Sequence, residues 1–235
     1  MCIILYNEIG KKLDKNLIQT AYDNNPHGYG FMWYEHERIH TIKGLADFDQ
    51  IWQLINMFNG MQYAMHFRWR TTGEITNELC HPFEILNKDA HGLDMVMMHN
   101  GTIFSMPKIP NKSDTQIFSE KFSQKIIEKD PNYNLNYIHK LEQVVGKHNK
   151  MVMMTSDKRT FFVNKNEGKY IDGIWYSNTY SFEKDYRKPT KKEVKTDLKQ
   201  DSNTSLAYTK RDYGTRVIRR KDFVSRTAFS PNLDI

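Results

Sequence analysis

The chain opens MCIILYN (residues 1–7). An apolar run this short, with the polar NEIGKKLDKN directly behind it, has the length of a strand and is too short for a signal peptide or a membrane span. The cysteine behind Met1 admits two readings. With Met1 retained, Cys2 is a small buried hydrophobe at the start of an edge strand. With Met1 removed, Cys2 becomes the first residue, and its thiol and free α-amine share one carbon skeleton. That is a nucleophile with its own base attached. The choice between the two rests on what lies elsewhere in the chain.

The bulk composition narrows the classes. A length of 235 residues suits one large domain and can bury a core without staples. Only two cysteines occur, Cys2 and Cys80, with no CxxC spacing. This argues against a disulfide framework or a structural zinc site and suits a reducing cytosol. No cofactor, metal or membrane association is expected. GYG at 28–30 lacks the third glycine and the following helix of a dinucleotide fingerprint. The net charge of +6 is uneven, because residues 184–226 hold 14 Lys and Arg against 6 Asp and Glu. That stretch reads either as a solvated extension or as a contact surface for nucleic acid or an acidic partner. Apolar periodicity fades at about the same point, which divides the chain into a domain over 2–183 and a basic, partly irregular extension over 184–235.

Apolar runs of strand length recur at 2–6, 29–35, 62–69, 93–100, 150–156 and 160–165. Helical spacing falls between them. Leu17, Ile18 and Ala21 share a face, as do Ile51, Leu54, Ile55 and Phe58, then Ile117, Phe118, Phe122 and Ile126, then Ile138, Leu141 and Val145 ahead of a C-capping Gly146. The methionines of 93–98 and 151–154 read as core. TRVIRR (215–220) is a candidate short strand.

Three further stretches carry polar groups in informative places. HFRWRTTG (66–73) buries an arginine in an apolar strand, where a guanidinium needs a carboxylate partner, its own or a ligand's. HNG (99–101) ends a strand with a dipeptide suited to a type I′ turn. SDT (113–115) opens a helix with an N-cap signature. Each alone reads as ordinary structure.

In this order, the N-terminal cysteine, HFRWRTTG, NELCHPF, HNG and SDT resemble the class II glutamine amidotransferases, which are N-terminal-nucleophile hydrolases. NNPHGYGFMWY (24–34) and WYSNTYSF (175–182) are similar to stretches of that family's short, stand-alone subgroup, although His27 stands where the subgroup has Asp. The resemblance spans roughly residues 2–182. It implies an α+β fold, a four-layer αββα sandwich with Cys2 leading into a central strand.

The resemblance also implies roles. L-glutamine, or a γ-glutamyl amide, would be the substrate. Arg68 would grip its α-carboxylate, Asp114 its α-ammonium, and Thr71 would add a contact or shape the loop. Trp69 would belong to a loop closing over the substrate. Cys2 would attack the side-chain amide, forming a thioester and releasing ammonia, with Asn100 and Gly101 stabilising the oxyanion. His66, His81 and His99 read as structural. The ammonia would pass to a partner enzyme in trans. A γ-glutamyl amide hydrolase acting on a larger conjugate, and a catalytically silent module binding nucleic acid or protein, are the alternatives.

Overall fold

The computed structural model describes residues 1–71 and 73–180. The basic 184–226 stretch and the strand expected at TRVIRR lie outside the described residues. β1 (Ile3–Asn7) buries all five of its residues, as a continuous apolar run rather than an alternating one should. It therefore lies within a sheet, and the edge-strand reading of CIILY does not hold. Its neighbours are β4 (Tyr63–Phe67) and β10 (Ile174–Tyr176), in a six-stranded sheet of order β3-β2-β4-β1-β10-β9. Here β2 is Tyr29–Glu35, β3 is Arg38–Gly44 and β9 is Lys169–Ile171. The second sheet has four strands in the order β5-β6-β7-β8, formed by Phe83–Leu86, Met95–Asn100, Lys150–Thr155 and Thr160–Val163. Every strand pair is antiparallel.

The period of two along the strands sorts the methionines. Val96, Met98, Val152 and Met154 of the second sheet share an apolar cluster with Ile4, Tyr6, Met32, Ala64 and Trp175 of the first. Met95, Met97, Met151 and Met153, one residue out of phase, pack instead with Phe118, Phe122 and Ile126 of α4 (Asp114–Lys129). α1 (Lys15–Asp23) and α2 (Phe48–Met57) meet other side chains of the first sheet. Tyr22 sets its ring edge-on to Phe67 at 6.2 Å, and Phe58, which caps α2, stacks on Phe31 at 5.4 Å. Each of these helices begins at a side-chain cap: Asp14 accepts from the Leu17 N–H, Asp47 from Gln50 and Ser113 from Gln116. The methionine-rich strands are thus core, as their composition indicates.

Two turns exchange the roles expected of them. β2 and β3 form a hairpin closed by His36 and Glu37, both at positive φ (47° and 60°), a conformation usually left to Asn-Gly. The Asn-Gly pair at 100–101 closes no hairpin. Asn100 is the last residue of β6, and Gly101, at φ 148°, turns the chain into the loop that leads to α4. The helix expected from Ile138, Leu141 and Val145 is divided into a 3-10 turn at Ile138–Lys140 and a short α5 at Leu141–Val145, and Gly146 follows at φ 81°. A short α3 spans Lys88–His91. No helix among the described residues is long and apolar enough to cross a membrane.

Trp175 tests whether the two sheets share one core. It is fully buried, sets its ring edge-on to Phe162 at 5.1 Å, and donates its indole N–H to the Lys165 carbonyl at 3.0 Å. Trp175→Ala is expected to lower the unfolding free energy in urea by about 3–5 kcal/mol. A loss below about 1 kcal/mol would mean that the interior collapses freely around the missing ring.

Candidate functional site

Cys2 lies one residue before β1, and the β1–β4 register places it beside the residues that follow β4. Ile3 pairs with Phe67 and Ile4 with His66, so the chain ahead of Ile3 runs alongside Arg68 and Trp69. The Trp69 N–H donates to the Cys2 sulfur at 3.3 Å, and the thiol lies at the same distance from the Trp69 carbonyl. The Asn178 side chain donates to the Cys2 carbonyl at 2.6 Å. Burial of the sulfur raises the thiol pKa above its ordinary value, while the Trp69 backbone, the terminal ammonium and the Arg68 guanidinium pull the other way. The thiol is therefore protonated at neutral pH. Met1 is 59% exposed.

A pocket with an empty volume of about 310 Å³ opens beside the sulfur. Cys2, Arg68, Trp69, Thr71, Gly101 and Asp114 all line it. Arg68 is only 4% exposed, and one of its N–H groups donates to the Glu74 carbonyl at 2.8 Å. Burial lowers its pKa from the usual arginine value, yet a guanidinium stays charged at any physiological pH. Asp114 opens α4, and its carboxylate accepts from the Ile103 N–H at 2.7 Å. Trp69 is 42% exposed at the mouth, and Thr71 is exposed.

Asn100 is the one expected site residue outside the pocket wall. It is buried at the end of β6, and its side-chain NH₂ donates to Ser177 Oγ at 2.8 Å. The same Ser177 hydroxyl accepts from the Ile4 N–H at 2.8 Å, so one serine links β1 to the end of β6. Ser177 and Asn178 are the SN pair of the late stretch WYSNTYSF. The sequence marks them as a motif but not which groups they hold.

The pocket also takes in Leu79, His81, His99, Ser113 and Thr115, which residue-level reading did not place there. His99 has both nitrogens engaged, Nδ1 with Thr115 Oγ1 at 2.7 Å and Nε2 with Asn149 Oδ1 at 2.8 Å. The Asn149 NH₂ is turned to the Val145 carbonyl, so its oxygen faces His99. Nε2 therefore carries the proton, and Nδ1 accepts from the threonine hydroxyl. Asn149 also explains Gly101, where any Cβ would collide with the Asn149 side chain.

His66 and His81 lie with ring centroids 4.0 Å apart, both buried, and none of their four ring nitrogens has a hydrogen-bond partner of normal geometry among the described residues. Burial, reinforced by the nearby Arg68 charge, holds His66 down to about 3, and a weak approach to the His99 backbone opposes it only slightly. Burial first, then the His66 and His99 charges, hold His81 well below its ordinary value. Burial also lowers His99, against the pull of Asp114. Among the described residues, no group of three or more His, Cys, Asp and Glu side chains could hold a metal ion.

No protein-family model matches the chain, and no curated protein is similar to it in sequence. Solved structures are similar in fold. One, described as the allosteric regulatory enzyme of purine biosynthesis, superposes with a TM-score of 0.51 at 15% identity, over 78% of this chain and 43% of that one. Another, the glutamine phosphoribosylpyrophosphate amidotransferase of B. subtilis, gives 0.50 at 14% identity with the same coverage. The chain thus spans less than half the length of these structures, and the likeness is one of fold.

The buried histidines predict an acid-sensitive fold. Each has a folded-state pKa below its unfolded value, so the unfolded chain binds the proton first. Stability is complete above the unfolded pKa of about 6.5 and falls as pH drops below it, by about 1.4 kcal/mol per pH unit per histidine. For His66 the decline continues toward pH about 3. Urea midpoints measured between pH 7.5 and 5, above the main carboxylate range, should fall steadily below about 6.5. A flat profile would mean that the rings reach water in the folded protein.

Proposed function

We propose that the chain is a glutamine amidotransferase domain of the class II type, in which Cys2, made N-terminal by removal of Met1, hydrolyses the side-chain amide of glutamine. The observation that carries this reading is the bracketing of the Cys2 sulfur by the Trp69 backbone inside a pocket whose walls hold both Arg68 and Asp114. Glutamine presents a carboxylate, an ammonium and an amide. A buried guanidinium and a carboxylate lining one pocket suit the first two, and leave the amide to meet the sulfur.

The chemistry then balances as follows. The Cys2 α-amine takes the thiol proton, and the sulfur attacks the amide carbon. Negative charge develops on the amide oxygen. The Gly101 N–H, on the pocket wall, is one donor for the oxyanion; the Asn100 NH₂ has two hydrogens, donation to Ser177 uses one, and the second is the other donor if the side chain turns to the pocket as substrate binds. The proton held by the amine passes to the departing nitrogen, ammonia leaves, and a thioester remains. Water attacks the thioester, gives a proton to the amine, and releases glutamate as the sulfur is expelled. With Met1 in place the nitrogen of Cys2 is an amide and cannot accept a proton, so turnover depends on processing.

The same reading takes residues 2–183 as the glutaminase domain of a cytosolic protein, layered as an αββα sandwich, with ammonia passing to a partner enzyme in trans. The cluster shared by both sheets and the cluster joining the second sheet to α4 support that layering. The 184–235 extension enters it only as a basic segment that can contact an acidic partner or nucleic acid.

Intact mass of the purified protein should show loss of one methionine, and a glutamine-like diazoketone should add once, at Cys2. Ammonia and glutamate should appear from glutamine in equal amounts. Cys2→Ala should abolish turnover in a folded protein, Arg68→Lys should mainly raise KM, and Asn100→Ala should lower kcat by about 10²–10³-fold. Turnover of γ-glutamyl amides but not of glutamine would reassign the substrate to a larger conjugate. Full activity in molecules whose terminal amine is blocked would overturn the mechanism.

A further inference from the structure

The segment that brackets the sulfur is itself held from one side by His27. The His27 N–H donates to the Arg68 carbonyl at 3.0 Å, and the Arg68 N–H donates to the Gly28 carbonyl at 2.8 Å. Any residue but proline at position 27 leaves those backbone bonds possible. Two contacts need the imidazole. The Arg70 N–H donates to His27 Nδ1 at 3.0 Å, and the His27 ring packs on the Trp69 indole with centroids 4.8 Å apart and planes at 44°. The residue between those two anchored neighbours is Trp69, whose own N–H and C=O hold Cys2.

We propose that neutral His27 is a positioning residue: its Nδ1 lone pair and ring face fix the Arg68–Arg70 segment, and through it the Cys2 sulfur and the Arg68 guanidinium. As a role in the amide hydrolysis, this rests on the functional reading above. The acceptor at Nδ1 exists only while that nitrogen carries no proton, so protonation sets two N–H groups face to face and breaks the tie. The charged groups facing the ring are Arg70 and Arg68, both cationic. Burial first, then those two charges, hold the His27 pKa below its ordinary value. The tie is therefore intact above pH about 6.5 and opens only in acid. Position 27 is also where the sequence departs from the subgroup it resembles. An aspartate there would offer an oxygen at the δ position, so both residue types can accept the same N–H. Only histidine loses that acceptor through protonation of a ring nitrogen.

The test compares wild type, His27→Ala and His27→Asn. Asparagine places an uncharged oxygen where Nδ1 sits and does not titrate. Two readouts are taken: kcat/KM for glutamine against pH, and the rate of Cys2 alkylation by iodoacetamide, with Cys80 scored separately by peptide mass. Losing the Trp69 N–H raises the thiol pKa, so His27→Ala should alkylate Cys2 several-fold more slowly at pH 7. It should also lower kcat/KM by about 10–100-fold. His27→Asn should restore most of both. In wild type, log(kcat/KM) should steepen from one proton to two at a pH below the ordinary histidine value as His27 adds to the amine. In His27→Asn it should stay at one. Wild-type alkylation and kcat/KM in His27→Ala, or a two-proton limb kept by His27→Asn, would overturn the positioning role. Wild-type protein that turns over neither glutamine nor a γ-glutamyl amide, yet shows the predicted alkylation differences, would sink the functional reading while leaving His27 as the residue that positions the thiol.

Discussion

The register of β1 against β4 is the constraint on which the site depends. Ile3 faces Phe67 and Ile4 faces His66 in a central pair of the larger sheet. That register carries Cys2 to the Trp69 backbone and leaves Arg68 on the wall of the same pocket. A slip of one residue would turn the whole of β1 inside out, because successive side chains point to opposite faces. Since β1 is buried on both faces, the cost of such a slip is not the exposure of apolar groups. It is the loss of matched volumes and of the polar contacts at the strand's start. Ser177 accepting from Ile4, and Asn178 donating to the Cys2 carbonyl, hold the register from the β10 side.

Ser177 shows how a small polar group can join layers that otherwise meet only through apolar side chains. Its backbone N–H completes the pairing with β1 by donating to the Ile4 carbonyl at 2.9 Å. Its hydroxyl accepts from the Ile4 N–H in one sheet and from the Asn100 amide in the other. The proposed oxyanion donor and the strand led by the proposed nucleophile are thus referenced to one oxygen. A buried polar group satisfied in this way limits how the sheets can shift against each other, since any sliding would strand a donor in an apolar interior.

Much of this was legible in the chain. The apolar runs at 29–35, 93–100 and 150–156 read as strands because they are long and continuous, and α1, α2 and α4 carry the period of a helix. β3 was not legible. RIHTIKG mixes polar and apolar residues without clean alternation, as an edge strand can, and the His36–Glu37 turn before it lacks the glycine that marks a hairpin. Asn100–Gly101 misled in the other direction. Its glycine is required by the Asn149 side chain from a distant loop, a contact that no local pattern encodes. His81 on the pocket wall and Ser177 between the sheets were hidden for the same reason, because their meaning lies in which element they face. The motif residues around Cys2 were legible as a set, but the support given by His27 appears only once the Arg68–Arg70 segment is seen in space.

The histidines sharpen the chemical reading. A thiol raised by burial needs a proton acceptor, and histidine is the usual one. His81 and His99 line the pocket, and His66 lies against His81. Yet His66 is held down to about 3 and His81 is also strongly depressed, so neither has the affinity to take a proton from a thiol. The unprotonated nitrogen of His99 is already occupied by the Thr115 hydroxyl, and its N–H by Asn149. Half-buried His27 spends its lone pair on the Arg70 backbone. The fold places four imidazoles around or behind one thiol and disarms each by burial or by a hydrogen bond. Under the proposed reading the base is the α-amine exposed by loss of Met1, a group whose ordinary pKa is near 7.7–8.0.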